Sequence, residues 1–305
     1  MPVEYIKLTE DRQVNNTLVV YSLSEFLELK LPARSYLLSP IIPAQGLILL
    51  FAMRGIGKTH LALSIALAIA SGNNLFNWRC LKPHGVLYID GEMAMPDIQE
   101  RLERLVIGLN LNPQETFMRI ITPDSQHIPL PDLATKAGQE MFDPYLKGIS
   151  FVVIDNLASL CNTGKENETE SWKPVQRWLL DLRRRGISVL VVHHAGKGGK
   201  QRGTSSREDL MDTIIELKHP SNYETSQGAR FEVHTIKSRN CHGEAIAPFE
   251  VQLKQEEEAF IWHYKKAHSE RETVKELAAK GLTLREIEEQ TGVSKSRAQR
   301  YISEK

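Results

Sequence analysis

A glycine-rich loop between an apolar run and a helix-forming run constrains this chain more than any other feature. Residues 52–59 read Ala-Met-Arg-Gly-Ile-Gly-Lys-Thr, after the apolar run 47–51 and before the helix-forming run 60–71. Glycines let the backbone curl so that several N–H groups face phosphate oxygens, and the amino terminus of a helix adds a positive dipole. The arrangement predicts a strand, a phosphate loop and a helix, and therefore a nucleotide-binding protein.

The phosphate loop also indicates which nucleotide is bound. Lys58 would reach the β- and γ-phosphates of ATP, and Thr59 would hold Mg²⁺. Ala52 replaces the usual first glycine, but it adds only a methyl group at a strand end. No third glycine follows Gly57 three residues later, so a triphosphate with magnesium is favoured over a dinucleotide. The predicted nucleotide-binding residues of the loop are Arg54, Gly55, Ile56, Gly57, Lys58, Thr59 and His60.

Composition excludes several other classes of protein. The chain has 38 basic and 38 acidic residues among 305, so any nucleic-acid contact would have to come from local patches. No apolar run approaches the roughly 18 residues of a membrane span, and the first residues lack a signal-peptide pattern. The three cysteines, Cys80, Cys161 and Cys241, are too far apart to indicate a disulfide framework. We expect free thiols, a cytoplasmic location and no membrane contact.

The fold class predicted from the pattern is α/β. Apolar runs at 47–51, 86–90, 151–155 and 188–193 alternate with helical stretches at 59–71, 95–109, 134–146 and 171–185. Such alternation is typical of a mainly parallel sheet flanked by helices. The later runs 213–218, 230–236 and 249–254 alternate apolar and polar side chains, which predicts antiparallel strands that extend the sheet.

Changes in the residue pattern along the chain suggest four segments. We expect an N-terminal arm over residues 1–40, which contains a helix at 23–29 with Ser22 as its N-cap and packs on the core. An ATPase core would span 41–258, a linker 259–268 and a small all-α domain 269–305.

Hydrolysis requires a carboxylate beside Mg²⁺ and a group that orients water. Asp155 ends an apolar strand and is predicted to share the Mg²⁺ with Thr59. Glu92 follows a neighbouring strand and is the preferred residue for polarising the attacking water. Asp90 is an alternative that spacing alone does not exclude.

Another strand ends in His193 and His194, at the same predicted edge of the sheet. A histidine there can sense the γ-phosphate, and His194 is preferred, although a purely structural histidine pair would have the same sequence. The glycine-rich segment that follows would suit a nucleic-acid backbone, but a solvated surface loop would look similar. Its candidate DNA-binding residues are Lys197, Lys200, Arg202 and Arg207.

The tail, residues 269–305, has the pattern of a helix-turn-helix. Helices are predicted at 270–280, 284–290 and 294–303, with Gly292 in the turn and Ile302 among the residues of a small core. The last helix carries candidates for the major groove, Lys295, Ser296, Gln299 and Arg300, and Arg297 as a candidate for phosphate. A tail that docks protein or caps a ring remains an alternative.

The order of these motifs over residues 40–255 resembles the RecA-like ATPases of the plasmid replicative helicase RepA type and, more distantly, the DnaB-type hexameric helicases. The resemblance rests on the phosphate loop, the strands that end in D-G-E, in Asp and in H-H-x-x-K, the R-G-T-S that follows, and K-x-R at 237–239. It implies that Arg239 enters the nucleotide site of a neighbouring subunit as an arginine finger, assisted by Lys237. A surface-exposed strand end is the alternative for these two residues. The resemblance also implies a homo-oligomeric ring, commonly a hexamer, with single-stranded DNA in its channel.

The function favoured by these features is a DNA-dependent ATPase, most specifically a RepA-like replicative helicase of a plasmid or mobile element. The main alternative is a DNA-binding regulator or assembly factor whose oligomerisation is switched by ATP. A small-molecule kinase with the same loop is disfavoured by the tail and by K-x-R.

Overall fold

The computed structural model describes residues 18–161, 169–194, 206–266 and 270–303. The chain divides into two compact units, Met1–Ser35 and Tyr36–Lys305. In the first unit, helix α1 (Leu23–Glu28) begins with a capping box, because Ser22 Oγ accepts from the Glu25 N–H and the Glu25 carboxylate accepts from the Ser22 N–H. The helix predicted after Ser22 is therefore confirmed. The predicted packing of the arm on the core stays a prediction.

The described part of the second unit contains the strands and the remaining helices. The strands are β1 (Tyr36–Leu38), β2 (Ile42–Pro43), β3 (Leu47–Ala52), β4 (Val86–Asp90), β5 (Met118–Ile121), β6 (Phe151–Asp155), β7 (Ser188–His194), β8 (Thr213–Lys218), β9 (Arg230–Ser238), β10 (Phe249–Glu256) and β11 (Ala259–Lys266). The helices are α2 (Lys58–Ser71), α3 (Met95–Gly108), α4 (Lys136–Glu140), α5 (Leu157–Leu160), α6 (Thr169–Arg184), α7 (Ser206–Leu210), α8 (Glu270–Ala279), α9 (Leu284–Thr291) and α10 (Lys295–Ser303).

A nine-stranded sheet organises this unit, with the strand order β11-β10-β9-β8-β3-β7-β6-β4-β5. The six strands from β8 to β5 are parallel, and β9, β10 and β11 extend the sheet as antiparallel strands. The predicted α/β fold, a RecA-like mainly parallel sheet with antiparallel extension strands, is confirmed.

The sheet is covered on both faces, which explains why its inner strands are apolar throughout. Ile48 and Leu50 of β3 belong to a core that also contains the buried face of α2, whereas Leu47 and Leu49 belong to the core on the α6 side. Successive side chains of a strand point to opposite faces, so a strand buried on both faces reads as a continuous apolar run.

Two predicted segments differ from the structure. The helix predicted at 134–146 is broken into α4 and a 3₁₀ turn, Asp143–Leu146. Pro144 has no N–H to donate to the backbone oxygen of Glu140, so the α-helical hydrogen-bond series cannot continue through it. The N-terminal side is capped by Thr135, whose hydroxyl accepts from the Gly138 N–H.

The expected linker at 259–268 is mostly the strand β11, which pairs with β10 from Phe249↔Lys266 to Glu256↔Ala259. Glu257 and Glu258 therefore form the turn of a hairpin between β10 and β11. Trp262 packs against the core, and its Nε1–H donates to Ser64 Oγ on α2 at 2.8 Å. The apolar face of β11 explains why this segment joins the sheet.

The tail forms three helices around a small core. Its buried side chains are Val274, Ile287, Val293 and Ala298. The prediction that Ile302 belongs to this core is wrong, because its side chain is 37% exposed. Nowhere in the described ranges does a helix combine the length and the apolarity needed to cross a membrane.

Candidate nucleotide-binding site

The carboxyl ends of β3, β4, β6 and β7 meet at one edge of the sheet, where Ala52 pairs with His194 and Asp90 pairs with Asp155. A cleft of about 530 Å³ lies at this edge. Clefts outside the carboxyl ends of parallel strands are the usual ligand sites of such sheets. The predicted site residues that line it are Gly55, Gly57, Lys58, Thr59, His60, Glu92, Asp155 and His194.

The phosphate loop has the backbone that its glycines predict. Gly57 has φ +115°, and a Cβ there would lie 2.9 Å from Phe231 Cε1 and 3.0 Å from Ala229 Cβ. Only glycine fits, since the conformation is left-handed and the loop packs directly on β9. Ala52 is 1% exposed, so the methyl group that replaces the usual glycine is accommodated in the core.

Lys58 is folded back onto its own loop. Its Nζ donates to the backbone oxygens of Ala52 at 3.1 Å and Met53 at 2.7 Å. Burial lowers the pKa of the Lys58 ammonium to about 8. This nearly buried cation donates its hydrogen bonds to carbonyl oxygens and interacts electrostatically with the Asp155 and Glu92 carboxylates. It is well suited to an anionic ligand, because phosphate oxygens offer a stronger hydrogen-bond partner than carbonyl oxygens.

Asp155 and Thr59 lie side by side, as a magnesium site requires. The Asp155 carboxylate accepts a hydrogen bond from Tyr88 Oη at 2.7 Å and another from the Thr59 hydroxyl. Burial raises the pKa of Asp155 above its ordinary value. A carboxylate and a hydroxyl beside a phosphate loop are oxygen donors of the kind that Mg²⁺ prefers, so these residues fit the ion.

Asp90 and Glu92 occupy different environments. Asp90 is 1% exposed and accepts from the Met93 N–H at 2.9 Å, and burial raises the pKa of its carboxyl to about 6. The Glu92 side chain is 63% exposed in the cleft and lies 3.9 Å from His194 Nε2. The geometry therefore gives Asp90 the environment of a structural acid and leaves Glu92 accessible to solvent.

The far side of the cleft is formed by residues 219–229, between β8 and β9. Arg230 holds this segment, since its guanidinium donates to Glu250 Oε1 at 2.7 Å, to Gln227 Oε1 at 2.8 Å and to Asn222 Oδ1 at 2.8 Å. Glu250 lies 20 positions from Arg230 and on another strand, so hydrophobic periodicity gave no sign of this contact. Cleft residues that the sequence did not identify are Met93, Arg101, Asn156, Tyr223, Thr225, Gly228 and Ala229.

Lys237 and Arg239 are not in this cleft. Lys237 Nζ donates to the backbone oxygen of Glu208, and Arg239 Nη2 donates to that of Asp209 at 2.6 Å. Both side chains are held by the segment that precedes β8.

The position of Arg239 follows from the strand register. Its N–H donates to the Asp212 oxygen, and the Asp212 N–H donates to the oxygen of Leu47, the first residue of β3. The phosphate loop follows Ala52, the last residue of the same strand, so the two ends are roughly 16 Å apart at 3.3 Å per residue. Arg239 therefore lies at the opposite edge of the sheet from the cleft of its own chain.

The candidate DNA-binding residues fall into two groups. Lys197, Lys200 and Arg202 lie outside the described residues, as does the side chain of Arg207. In the tail, all five candidates are exposed on α10, namely Lys295, Ser296, Arg297, Gln299 and Arg300. Arg297 Nε donates to Tyr301 Oη at 2.8 Å, which orients its guanidinium along the helix.

Comparisons with known proteins agree with this architecture. The KaiC-like protein of the archaeon Pyrococcus horikoshii OT3 superposes with a TM-score of 0.52 at 16% identity, covering 72% of this chain and 91% of that one. The flagellar accessory protein FlaH of Methanocaldococcus jannaschii superposes with a TM-score of 0.50 at 10% identity, covering 74% and 92%. No curated protein matches the chain. The AAA domain family matches residues 16–200, which is more than half of the chain. The matched part carries the phosphate loop, Asp155 and His194. The protein therefore belongs to that family, with a RecA-like fold.

Proposed function

We propose that this protein is an ATP-hydrolysing, ring-forming DNA motor, most specifically a replicative helicase of the RepA type from a plasmid or mobile element. The observation that carries the proposal is that five predicted site residues line one cleft, while Arg239 lies at the opposite edge of the same sheet. The five residues are Lys58, Thr59, Glu92, Asp155 and His194. A subunit built in this way has a phosphate site at one edge. At the other edge Arg239 would exchange its contacts with the Asp212 carboxylate, at 3.7 Å, and the Asp209 oxygen, at 2.6 Å, for the phosphates of a neighbour.

ATP would bind with its phosphates on the amide groups of residues 54–60, as in other phosphate loops. Lys58 would exchange its backbone partners for the β- and γ-phosphates, and the backbone around Gly57 would follow the phosphate chain. Mg²⁺, held by Thr59 and Asp155, would supply charge neutralisation on the phosphate oxygens.

Hydrolysis would then use residues of this chain on either side of the γ-phosphate. Glu92 accepts a proton from the attacking water as the new P–O bond forms and the bond to the β-phosphate oxygen breaks, leaving ADP with the electron pair. His194 lies at the end of β7, where it would sense the γ-phosphate. It would pass this signal to residues 195–205, which follow it in the chain. Arg239 of a neighbouring subunit, with Lys237, would neutralise charge on the transferred phosphoryl group.

A second candidate function is favoured by the exposed face of α10. The five polar or cationic side chains on this face are exposed, which suits contact with a DNA duplex. A protein with this function would use ATP to switch its assembly at a DNA site. In that case hydrolysis resets the assembly instead of moving the protein along a strand.

One experiment separates the two candidates. ATP hydrolysis is measured without DNA, with mixed-sequence single strands and with duplex, together with unwinding of a forked substrate. Stimulation by single strands with unwinding is the expected result for the motor. Duplex-dependent assembly without unwinding would overturn it in favour of the switch, and no hydrolysis under any condition would overturn both.

The arginine finger is tested by mixing variants. Arg239→Ala removes the arginine finger but leaves its own nucleotide site intact, whereas Asp155→Ala disables its own nucleotide site but keeps the finger. Mixed oligomers are expected to recover activity that neither variant shows alone. Verified mixed oligomers without recovery would contradict action in trans.

A further inference from the structure

The Asn156 side chain is held in one orientation by the helix that follows it. Asn156 is 4% exposed and directly follows Asp155 at the end of β6. Its Oδ1 accepts from the backbone N–H groups of Ala158 at 2.9 Å and Ser159 at 3.2 Å, which makes it the N-cap of α5. The amide oxygen is thereby assigned, and the Nδ2 group must face the other way.

The Nδ2 group faces the cleft. It donates to Glu92 Oε2 and lies 3.3 Å from Nε2 of His194, so each of its two hydrogens has a partner. Glu92 and His194 are 3.9 Å apart, beyond hydrogen-bond distance, so Asn156 is the group that joins them.

The backbone around this amide is rigid. The Gly91 N–H donates to the Asp155 oxygen at 2.8 Å, and a Cβ on Gly91 would lie 2.4 Å from Ser159 Oγ. The chain that carries Glu92 is therefore packed against the turn that carries Asn156. A largely exposed glutamate would otherwise sample many rotamers, whose restriction costs free energy.

We infer that Asn156 is a positioning residue for ATP hydrolysis, whose amide holds the Glu92 carboxylate at the attack position. The inference rests on the proposed function, because it gives Glu92 the role of base. A misplacement of about 1 Å in a reacting group can slow catalysis roughly 100-fold. Loss of the amide donor should therefore reduce turnover without weakening nucleotide binding.

The test uses two substitutions that keep the cap and remove the donor. In Asn156→Ser a short hydroxyl still caps α5 but does not extend to Glu92, and in Asn156→Asp the cap remains but a carboxylate oxygen replaces the amide. For Asn156→Ser we expect kcat to fall about 10- to 100-fold with KM nearly unchanged. Should the serine variant fail to fold, the aspartate variant carries the test, with the same expected loss of kcat.

A double-mutant cycle distinguishes positioning from a general structural effect. In a Glu92→Gln background the amide has no carboxylate to position, so adding Asn156→Ser should lower the residual kcat far less than it does in the wild type. If a folded Asn156→Ser protein keeps the wild-type kcat while Glu92→Gln strongly reduces it, the inference is overturned and the proposed function stands. A wild-type protein without ATP hydrolysis would overturn the proposed function itself.

Discussion

The nucleotide cleft and the C-terminal tail both contain many charged side chains, but the two regions hold them differently. Lys58, Asp90 and Asp155 are 6%, 1% and 5% exposed, and their partners include backbone groups and the buried Tyr88 hydroxyl. In the tail, the ion pairs Lys280–Glu276 and Arg285–Glu289 lie along single exposed helices. A buried charge without a partner is costly, whereas an exposed pair contributes about 0–1 kcal/mol.

The hydrophobic support of the two regions also differs. The cleft stands on a nine-stranded sheet with a core on each face, whereas four buried side chains form the centre of the tail. Small cores leave little surplus stability, so each buried residue of the tail contributes a large share. We therefore expect charge changes to be severe in the cleft and mild in the tail, and changes to buried apolar residues to melt the tail alone.

The largest expected effect is the loss of nucleotide binding in Lys58→Ala. Replacing a nearly buried ammonium removes charge-assisted hydrogen bonds to phosphate, each contributing about 1.5–3 kcal/mol. Affinity for a fluorescent ATP analogue, measured by equilibrium titration, should fall at least about 100-fold.

The matched control is Lys280→Ala, which removes an exposed ion pair from the tail. It should leave the affinity for the analogue unchanged. Unimpaired binding or turnover in Lys58→Ala would remove the phosphate-loop assignment and, with it, the contrast between the two regions.

Ile287→Ala should melt the tail and spare the cleft. Ile287 is fully buried, and truncating such a side chain typically costs about 2–5 kcal/mol, a large fraction of what so small a core supplies. Hydrogen exchange should show lost protection in α8, α9 and α10, while ATP hydrolysis without DNA stays at the wild-type rate.

Ile302→Ala makes a similar truncation at an exposed position and should change protection little, since surface substitutions usually lie within about 0.5 kcal/mol. Loss of protection in both the sheet and the tail of Ile287→Ala would show that the two regions unfold together.

Two glycines with positive φ sharpen the comparison further. Gly57 has φ +115° with Phe231 at 2.9 Å from an added Cβ, whereas Gly292, the αL cap after α9, has φ +70° and open space. Alanine at either position is strained by about 1–2 kcal/mol, and overpacking at Gly57 adds about 1–3 kcal/mol.

Urea unfolding of the full chain should therefore show a larger loss for Gly57→Ala than for Gly292→Ala. Equal losses would mean that Phe231 and Ala229 move aside freely, and that the phosphate loop is not buttressed by β9.

The parts of the site that the sequence predicted are those encoded by local patterns. The phosphate loop, Asp155, Glu92 and His194 each stand at the end of an apolar run, and parallel strands bring such ends together. Local pattern also predicted the bounds of β4 and β6 correctly, because a strand buried on both faces is a continuous apolar run.

The parts that it missed depend on contacts between distant residues. Asn156 bonds Glu92 across 64 positions, and Trp262 bonds Ser64 across 198. No spacing rule connects these pairs, so the bridge in the cleft and the strand β11 became visible only in the fold. The role of Arg239 depends on a second chain, and it remains a prediction.

The smallest expected effect concerns Glu286, whose carboxylate accepts from the Thr283 N–H at 2.8 Å in the capping box of α9. The backbone hydrogen bond from Thr283, followed by the one from its hydroxyl, lowers the pKa of Glu286 below its ordinary value of 4.5. A carboxyl with a lowered folded pKa stabilises the helix above that ordinary value, and the stabilisation is lost as pH falls through the folded pKa.

Glu286→Gln should therefore slightly reduce hydrogen-exchange protection in α9 at pH 7, and the difference from wild type should vanish at a pH well below the folded pKa of Glu286, where the native carboxyl is also neutral. Glu289→Gln, on the same helix, removes only the exposed pair with Arg285 and should reduce protection less. A Glu286→Gln deficit that is the same at both pH values would show that the capping interaction depends on shape and not on charge. In that case the tail would depend on its four-residue core even more than the contrast with the cleft implies.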